Sequence, residues 1–386
     1  MDAPTLRRIS TKEETTRRVR QGDLLLEKSG GGEKQPVGAV VRYEHDIIAV
    51  CSNFIARMSI AEGYSDKFLS YLHATLYAAR LNVRSIKQNT GIQNLDSNSY
   101  LNEVVAFPCI EEQSIVASFL DRETAKIDAL IEKKERLIKL LQEKRSALIT
   151  QAVTKGLNPA VPMKDSGIEW LGKIPKHWEC LALSRISFAR CDGPFGSGLK
   201  SEHYSQYGIR VVRLQNIGSA EFYDADKAYI NEEYGSQLGD HSVLPGDLLI
   251  AGLGDEAHPV GRACVAPENI APAMVKADCF RFRLDVRLLL ARFAAYQLSA
   301  MAADAAGSLS TGATRSRLNL TTMATRQIAL PPMKEQAVIV NVLDRGCDEI
   351  YALISKIREA ITSLKEYRTA LISAAVTGKI DVREAS

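Results

Sequence analysis

The stretch Cys191–Lys200, CDGPFGSGLK, gathers an acid, a proline, an aromatic ring and three glycines. Such residues could build a methyl-transfer site, in which an Asn/Asp-Pro-Pro-aromatic loop holds the target amine and a separate Gly-rich loop holds the cofactor. The order here does not fit that chemistry. Asp192 is followed by Gly193 where the first proline should stand, and the glycines share the acid's own loop. A turn-rich loop entering a strand accounts for the composition. As a DNA-facing loop it would offer Ser197, Lys200 and backbone N–H groups to phosphate. No GxxxxGK[ST] phosphate loop and no Gly-x-Ser-x-Gly elbow occur. The six histidines, His45, His73, His177, His203, His241 and His258, show no HExxH or other close ligand pairing. His177 adjoins Trp178 in IPKHWE, where packing at a domain entrance is expected. The seven cysteines are scattered without a CxxC pair, so neither zinc spacing nor a disulfide framework is present. Catalysis by this chain is not expected.

Other residues suit the reading of nucleic acid. The small-residue loop Ser310–Leu320, STGATRSRLNL, carries Arg315 and Arg317. Arginine can bond guanine with two parallel hydrogen bonds, and threonine or serine can reach bases or phosphate. The bland alternative is a pair of solvated loop arginines. A matching loop, SIKQNTGIQNL at 85–95, offers Lys87, Gln88, Asn89, Gln93 and Asn94. Asn and Gln can bond adenine in the same bidentate manner. EKSGGGEKQ at 27–35 could track a phosphate backbone through Lys28 and Lys34, or be an ordinary hairpin loop. Arg213, in GIRVVRLQNI at 208–217, joins Lys200 as a further candidate for DNA contact. The net charge of +3 is by itself weak evidence for such a partner.

The elements that must position these residues repeat. Pro108–Thr154 and Pro331–Thr377 align without a gap, with roughly four positions in ten identical, and both close on one phrase, ALITQAVT and ALISAAVT. Two distant copies exclude a stacked solenoid. Positions 127, 131, 134, 138, 141, 145 and 148 alternate steps of four and three, and so do 350, 354, 357, 361, 364, 368 and 371. That 3.5-residue spacing marks a coiled-coil seam. Arg145 and Arg368 hold equivalent seam positions, where a charge either sets register or snorkels to the surface. Asp121-Arg122 and Asp344-Arg345 also recur, as caps or as faces toward a partner. Apart from Gly346 neither segment has an internal Pro or Gly. Each reads as a helix of about forty residues, ~60 Å long, and each needs a partner. The two copies are expected to pair antiparallel.

Between the helices, Gly, Pro, aromatics and short β-like runs indicate α/β (α+β) domains. GIRVVRLQNI, PGDLLIAG (245–252) and CFRFRLD (279–285) read as strands, and Val286–Ala305 as a helix. These regions repeat more faintly. QGDLLLEKSGGGEKQPVGAV at 21–40 matches PGDLLIAGLGDEAHPVGRAC at 245–264, and VVAFP and IALPP lead into the two long helices. The expected order is a first domain at 1–107, a central helix at 108–157, a second domain at 158–330 and a C-terminal helix at 331–386. About eighty residues from Lys164 precede the second GDLL and about twenty precede the first, so the first domain is expected to lack roughly sixty residues at its front, through a genuine shortening, a truncation or an alternative start. No apolar run approaches the ~20 residues of a membrane span, and the charged N-terminus lacks a signal-peptide core. A cytoplasmic location is expected.

DSGIEWLGKIPKHWE, GDLLI, TGATRSRLNL, LPPMKEQAVIVNVLD and LISAAVTGKID together resemble the specificity subunit of type I restriction–modification systems, over nearly the whole chain after residue 20. The resemblance implies two target-recognition domains, each reading half of a bipartite site in double-stranded DNA. It implies that the helices act as a ruler for the spacer and as the dock for two methyltransferase subunits, with restriction subunits joining them. It further implies that the chain holds no cofactor, S-adenosylmethionine and ATP residing on the partners. The alternative is a coiled-coil pseudo-dimer scaffold that binds protein alone, or a decayed specificity subunit without DNA specificity.

Overall fold

The structure, a computed structural model, describes residues 6, 8–89, 91–195, 198–308 and 316–383. In chain order the first elements are α1 (Thr11–Arg17), β1 (Arg18–Val19), β2 (Leu24–Glu27), β3 (Ser29–Gly30), β4 (Val40–Arg42), β5 (Ala49–Val50), β6 (Ile55–Met58), α2 (Asp66–Ala78), β7 (Ile86–Asn89), β8 (Ile92–Leu95) and α3 (Ser97–Leu101). The central helix α4 (Ile110–Lys155) follows. Next come β9 (Met163–Asp165), β10 (Lys173–Pro175), β11 (Glu179–Ala182), α5 (Leu183–Ile186), β12 (Ser187–Cys191), β13 (Tyr204–Ser205), β14 (Ile209–Val212), β15 (Tyr229–Ile230), α6 (Glu232–Gln237), β16 (Ser242–Val243), β17 (Leu248–Ala251) and β18 (Leu253–Gly254). The chain continues through β19 (Ala263–Val265), β20 (Ala273–Val275), β21 (Cys279–Leu284), α7 (Ala291–Ser308), β22 (Ser316–Arg317), α8 (Leu320–Thr325) and β23 (Gln327–Leu330) to the C-terminal helix α9 (Met333–Val376). Two units form: Met1–Leu137 with Ser355–Ser386, and Ile138–Ile354.

The long helices are 46 and 44 residues, as their patterning requires. Each stops at a glycine in the left-handed region, Gly156 (φ +73°) and Gly378 (φ +68°), whose N–H groups bond Ala152 O and Ala375 O. Every seam position is buried or half-buried. Gly346 does not break α9. A Cβ there would stand 3.0 Å from Leu148 Cδ2, so the glycine allows close approach of α4 within the second unit.

In the first unit β2 lies between β4 and β6, both antiparallel to it. Alternation in LLLE buries Leu24 and Leu26 and leaves Leu25 half-buried. Ser65 caps α2 by accepting the Phe68 N–H at 3.3 Å. Phe68 and Leu72 of α2 then pack on Val116 and Leu120 of α4 and Ile372 and Val376 of α9. In the second unit the sheet β12-β21-β17-β19 is covered on one side by α7 and the long helices. On the other side lies a five-stranded sheet, β13-β15-β14-β20-β16. Leu248, Phe280 and Phe282 are fully buried, each contributing about 1.5–3 kcal/mol.

Two boundaries differ from the sequence reading. α7 begins at Ala291, because residues 286–289 turn over Asp285 and the Leu290 N–H is taken by Gln336 Oε1 at 2.9 Å. The strand expected over 208–217 ends at Val212, because Asn216 Oδ1 accepts the Arg213 N–H at 2.9 Å and starts a turn.

The same contacts recur in the two units. Gln113, buried, accepts the Ser65 N–H at 2.9 Å and donates to Pro108 O at 2.9 Å. Gln336, buried, accepts the Leu290 N–H and donates to Pro331 O at 2.8 Å. Tyr71 Oη donates to Asp121 Oδ1 at 2.9 Å beside the Lys67 ammonium. Tyr296 Oη donates to Asp344 Oδ1 at 2.6 Å beside the Arg292 guanidinium. Asp121 and Asp344 therefore lock each domain's helix to a long helix rather than capping one. Arg145 and Arg368 do not simply snorkel. Arg145 lies over the Tyr351 ring (4.6 Å) with Nη2 3.5 Å from Glu221, and Arg368 grips Asp128 at 2.9 and 3.1 Å.

Candidate nucleic-acid interface

The second unit builds its candidate site on a main-chain crossing. After β17 the Gly252 N–H donates to Asp278 O at 2.7 Å, and Gly252 O accepts the Leu318 N–H at 2.8 Å. The glycine is required, since a Cβ would meet the Phe280 ring at 2.4 Å. β18 pairs antiparallel with β22, setting Leu253 opposite Arg317. Arg317 Nε donates to Asp278 Oδ1 at 2.8 Å, and its guanidinium lies 5.5 Å from the Phe195 ring centre. Its Nη groups make no hydrogen bond among the described residues. A guanidinium fixed along one edge and backed by a ring keeps a preset fork for guanine O6 and N7.

Asp192, Phe195, Asp278, Arg317, Leu318 and Asn319 line a cleft of about 290 Å³. Burial pushes the Asp192 carboxyl up to about 6, with the nearby Asp278 charge raising it and the Gly193 N–H and Arg317 opposing. Gly193 admits this arrangement because a Cβ there would overlap the Lys276 main chain at 2.1 Å. The cleft thus alternates acid and base. Carboxylates can accept from cytosine N4 where arginine reads guanine.

The first unit repeats the crossing with other side chains. The Lys28 N–H donates to Phe54 O at 2.7 Å, and Lys28 O accepts the Leu95 N–H at 2.8 Å. β3 pairs with β8 so that Asn94 faces Ser29, which puts Asn94 where the second unit has Arg317. Asn94 is exposed, and its side chain makes no hydrogen bond among the described residues. Phe54 stands where the second unit has Asp278, and it is exposed.

The remaining sequence candidates fall as follows. Gln93 Oε1 accepts the Val37 N–H at 3.1 Å, so that oxygen is committed to the fold. Lys87 pairs with Asp96 at 2.7 Å, which holds the Asp96 carboxyl below its ordinary range. Lys28 is half-buried. Lys200 is exposed, 3.7 Å from Glu202. Arg213 is bound to Asp226 and is mostly buried, so its guanidinium is occupied by the fold. Arg315 and Ser197 lie outside the described residues. Sequence reasoning missed Asp192, Phe195 and Asp278 as the setting of Arg317. The signal for two of them was in hand, in the CDGPFGSGLK stretch already singled out for its chemistry.

Among the described residues no group of His, Cys, Asp or Glu could hold a metal ion. Nor is any described helix long and apolar enough to cross a membrane.

Residues 209–363 match the family model for the type I restriction modification DNA specificity domain. The chain is 23% identical over 382 residues to the type I restriction enzyme StySPI specificity subunit of Salmonella potsdam, covering 95% of this chain and 76% of that protein. It is 22% identical over 314 residues to the MjaVIII specificity subunit of Methanocaldococcus jannaschii, covering 81% and 70%. Its fold is similar to that of a chain solved in work on complex assembly and conformational transition of the type I R-M system, with a TM-score of 0.67, 19% identity and 94% and 83% coverage. The HsdS subunit from Thermoanaerobacter tengcongensis matches with a TM-score of 0.51, 18% identity and 94% and 82% coverage. The matched domain runs from β14 into α9, and over most of its length the chain is similar to specificity subunits of type I restriction–modification systems.

Proposed function

We propose that the chain is the DNA-reading, non-catalytic subunit of a type I restriction–modification complex, acting on cytoplasmic DNA. Residues 1–107 and 158–330 each read half of a bipartite site. Residues 108–157 and 331–386 form long helices that run antiparallel as a pseudo-twofold core. These helices dock two methyltransferase subunits and, through the assembly, restriction subunits. S-adenosylmethionine and ATP belong to those partners. The observation that carries the reading is the shared main-chain crossing, which presents Asn94 in one unit and Arg317 in the other. Matching ties through Gln113 and Gln336 and through Asp121 and Asp344 support the pseudo-twofold. A reader with two equivalent heads suits DNA, whose grooves recur about every 34 Å along one face. Phosphate attraction would come from lysines such as Lys28, Lys87 and Lys200, and base contact from Asn94, Gln93 through its amide NH2, Arg315 and Arg317. Arg213 serves by holding β14's exit in place.

The test is to assemble the chain with methyltransferase subunits and select from a randomised double-stranded library at fixed salt, since phosphate binding is salt-dependent. Two short half-sites at a constant spacing are expected, methylated by the complex and left unlabelled by the chain alone with labelled S-adenosylmethionine. Binding without any base preference would instead support a decayed specificity subunit, and no DNA binding at all the protein-only scaffold.

A further inference from the structure

Three charged side chains from three separate segments meet at the cleft of the second unit: Asp192 just past β12, Asp278 between β20 and β21, and Arg317 on β22. They are not equally engaged. Asp278 holds Arg317 Nε at 2.8 Å, and its side chain is only 19% exposed. The Arg317 side chain is 58% exposed, and its Nη groups make no hydrogen bond among the described residues. Among the described residues Asp192 forms no ion pair, and its carboxyl takes main-chain N–H groups alone, from Gly193 (Oδ1, 2.7 Å) and from Asp278. A carboxylate offers about four acceptor positions, so Asp192 has room for a further donor. A fork of donors and an unfilled acceptor thus share one cleft.

That combination matches the edge of one base pair. In the major groove G·C presents two acceptors, guanine N7 and O6, and then a donor, the cytosine N4 amino group. A·T presents acceptor, donor, acceptor and a methyl group. Two donors followed by an acceptor satisfy the first pattern and oppose the second. A phosphate would suit Arg317 but would meet two carboxyl groups beside it, so the DNA backbone is the poorer occupant.

We propose that this cleft reads both bases of a single G·C pair, Arg317 donating to guanine N7 and O6 while Asp192 accepts from cytosine N4. The proposal rests on the chain's role as a DNA-reading subunit; it names the pair and adds Asp192 as a second reader. Asp192 is a pure acceptor only when ionised, because its protonated form carries an O–H donor. Burial pushes its carboxyl up to about 6, helped by the Asp278 charge and opposed by the Gly193 and Asp278 N–H groups and by Arg317. The other groups around it are the Cys191 and Cys279 thiols, both pushed up by burial, His241, whose Nδ1 donates to the Asp192 main-chain O at 2.6 Å, and Lys276, whose ammonium lies 5.8 Å from the Tyr204 ring centre. Preference for G·C therefore rises as pH climbs through about 6.

The experiment uses the full chain assembled with methyltransferase subunits and the site it selects from a randomised library. At fixed salt, binding is measured to that site and to copies carrying A·T, 7-deazaguanine or the amino-free pyrimidin-2-one at each G·C pair in turn. One G·C pair should lose affinity with all three, and Arg317→Ala should remove the response to 7-deazaguanine there. Asp192→Asn keeps an acceptor for the Gly193 N–H. It should reduce the loss caused by pyrimidin-2-one at the same pair about threefold, a charge-assisted bond being roughly twice as strong as a neutral one. The parent's preference for that G·C over A·T should grow about tenfold from about pH 5 to neutral pH, since a carboxyl titrating near 6 is about one-tenth ionised at the lower value. The Asp192→Asn variant should show no such growth. If the two variants act on different pairs, or the parent's preference stays level with pH while two half-sites are still selected, the cleft does not read this pair. Selection without any base preference would overturn the DNA-reading role itself, and the assigned pair with it.

Discussion

Arg317 illustrates how a loop arginine is held in a fixed setting. Asp278 occupies its Nε and the Phe195 ring lies beneath its guanidinium, while the Nη donors make no hydrogen bond among the described residues. The acid beside it titrates in an accessible range. Asp192 sits near 6 against an ordinary 3.8, mainly through burial. A carboxyl raised on folding favours the folded state in acid, and that contribution is lost as pH climbs from about 4 through about 6. Asp192→Asn keeps an acceptor for the Gly193 N–H, which now bonds Oδ1 at 2.7 Å. We expect the variant's melting temperature to be flatter than that of the parent between pH 4 and 7, with the variant more stable at neutral pH. Identical pH profiles would show that Asp192 is not desolvated by the fold. The sequence marked Arg317 by type and by loop, and it marked the 191–200 stretch. It could not join them, because residues more than a hundred positions apart meet through strand pairing that no local pattern encodes.

Elements explain what shared motifs are for. The glutamine in EEQ and KEQ was visible as a repeated letter, yet its job is to tie three chain segments. Gln336 accepts the Leu290 N–H and donates to Leu288 O and Pro331 O. Replacing Gln336 by Ala leaves buried polar groups without partners, and we expect a loss of roughly 3 kcal/mol or more. Gln113→Ala should cost somewhat less, since its amide has one donor bond, to Pro108 O. Urea titration of each variant measures both, and a loss below about 1 kcal/mol at either site would contradict the structural role. Helix length and seam spacing were legible because 3.5-residue periodicity is a property of one helix alone. The partners of the seam charges were not, because Asp128 and Glu221 lie far along the chain from Arg368 and Arg145.

For the whole molecule, the two units differ where they would touch bases. Arg317→Ala should flatten preference at one base pair by about 1–3 kcal/mol, read from library selection by the assembled complex. Gln93→Ala with Asn94→Ala should change the other half-site less, since Gln93 spends one oxygen on Val37 and the Asn94 side chain has no hydrogen-bond partner among the described residues. A sharper loss in the Gln93/Asn94 variant would reverse that division of labour. One feature of the crossing reaches beyond any single target. Leu95 and Leu318 are fastened to Lys28 and Gly252 by main chain alone. Under the proposed function, substitutions at the neighbouring positions would rewrite what is recognised while this main-chain tie persists. On that reading the scaffold stays heritable while the vocabulary it displays turns over.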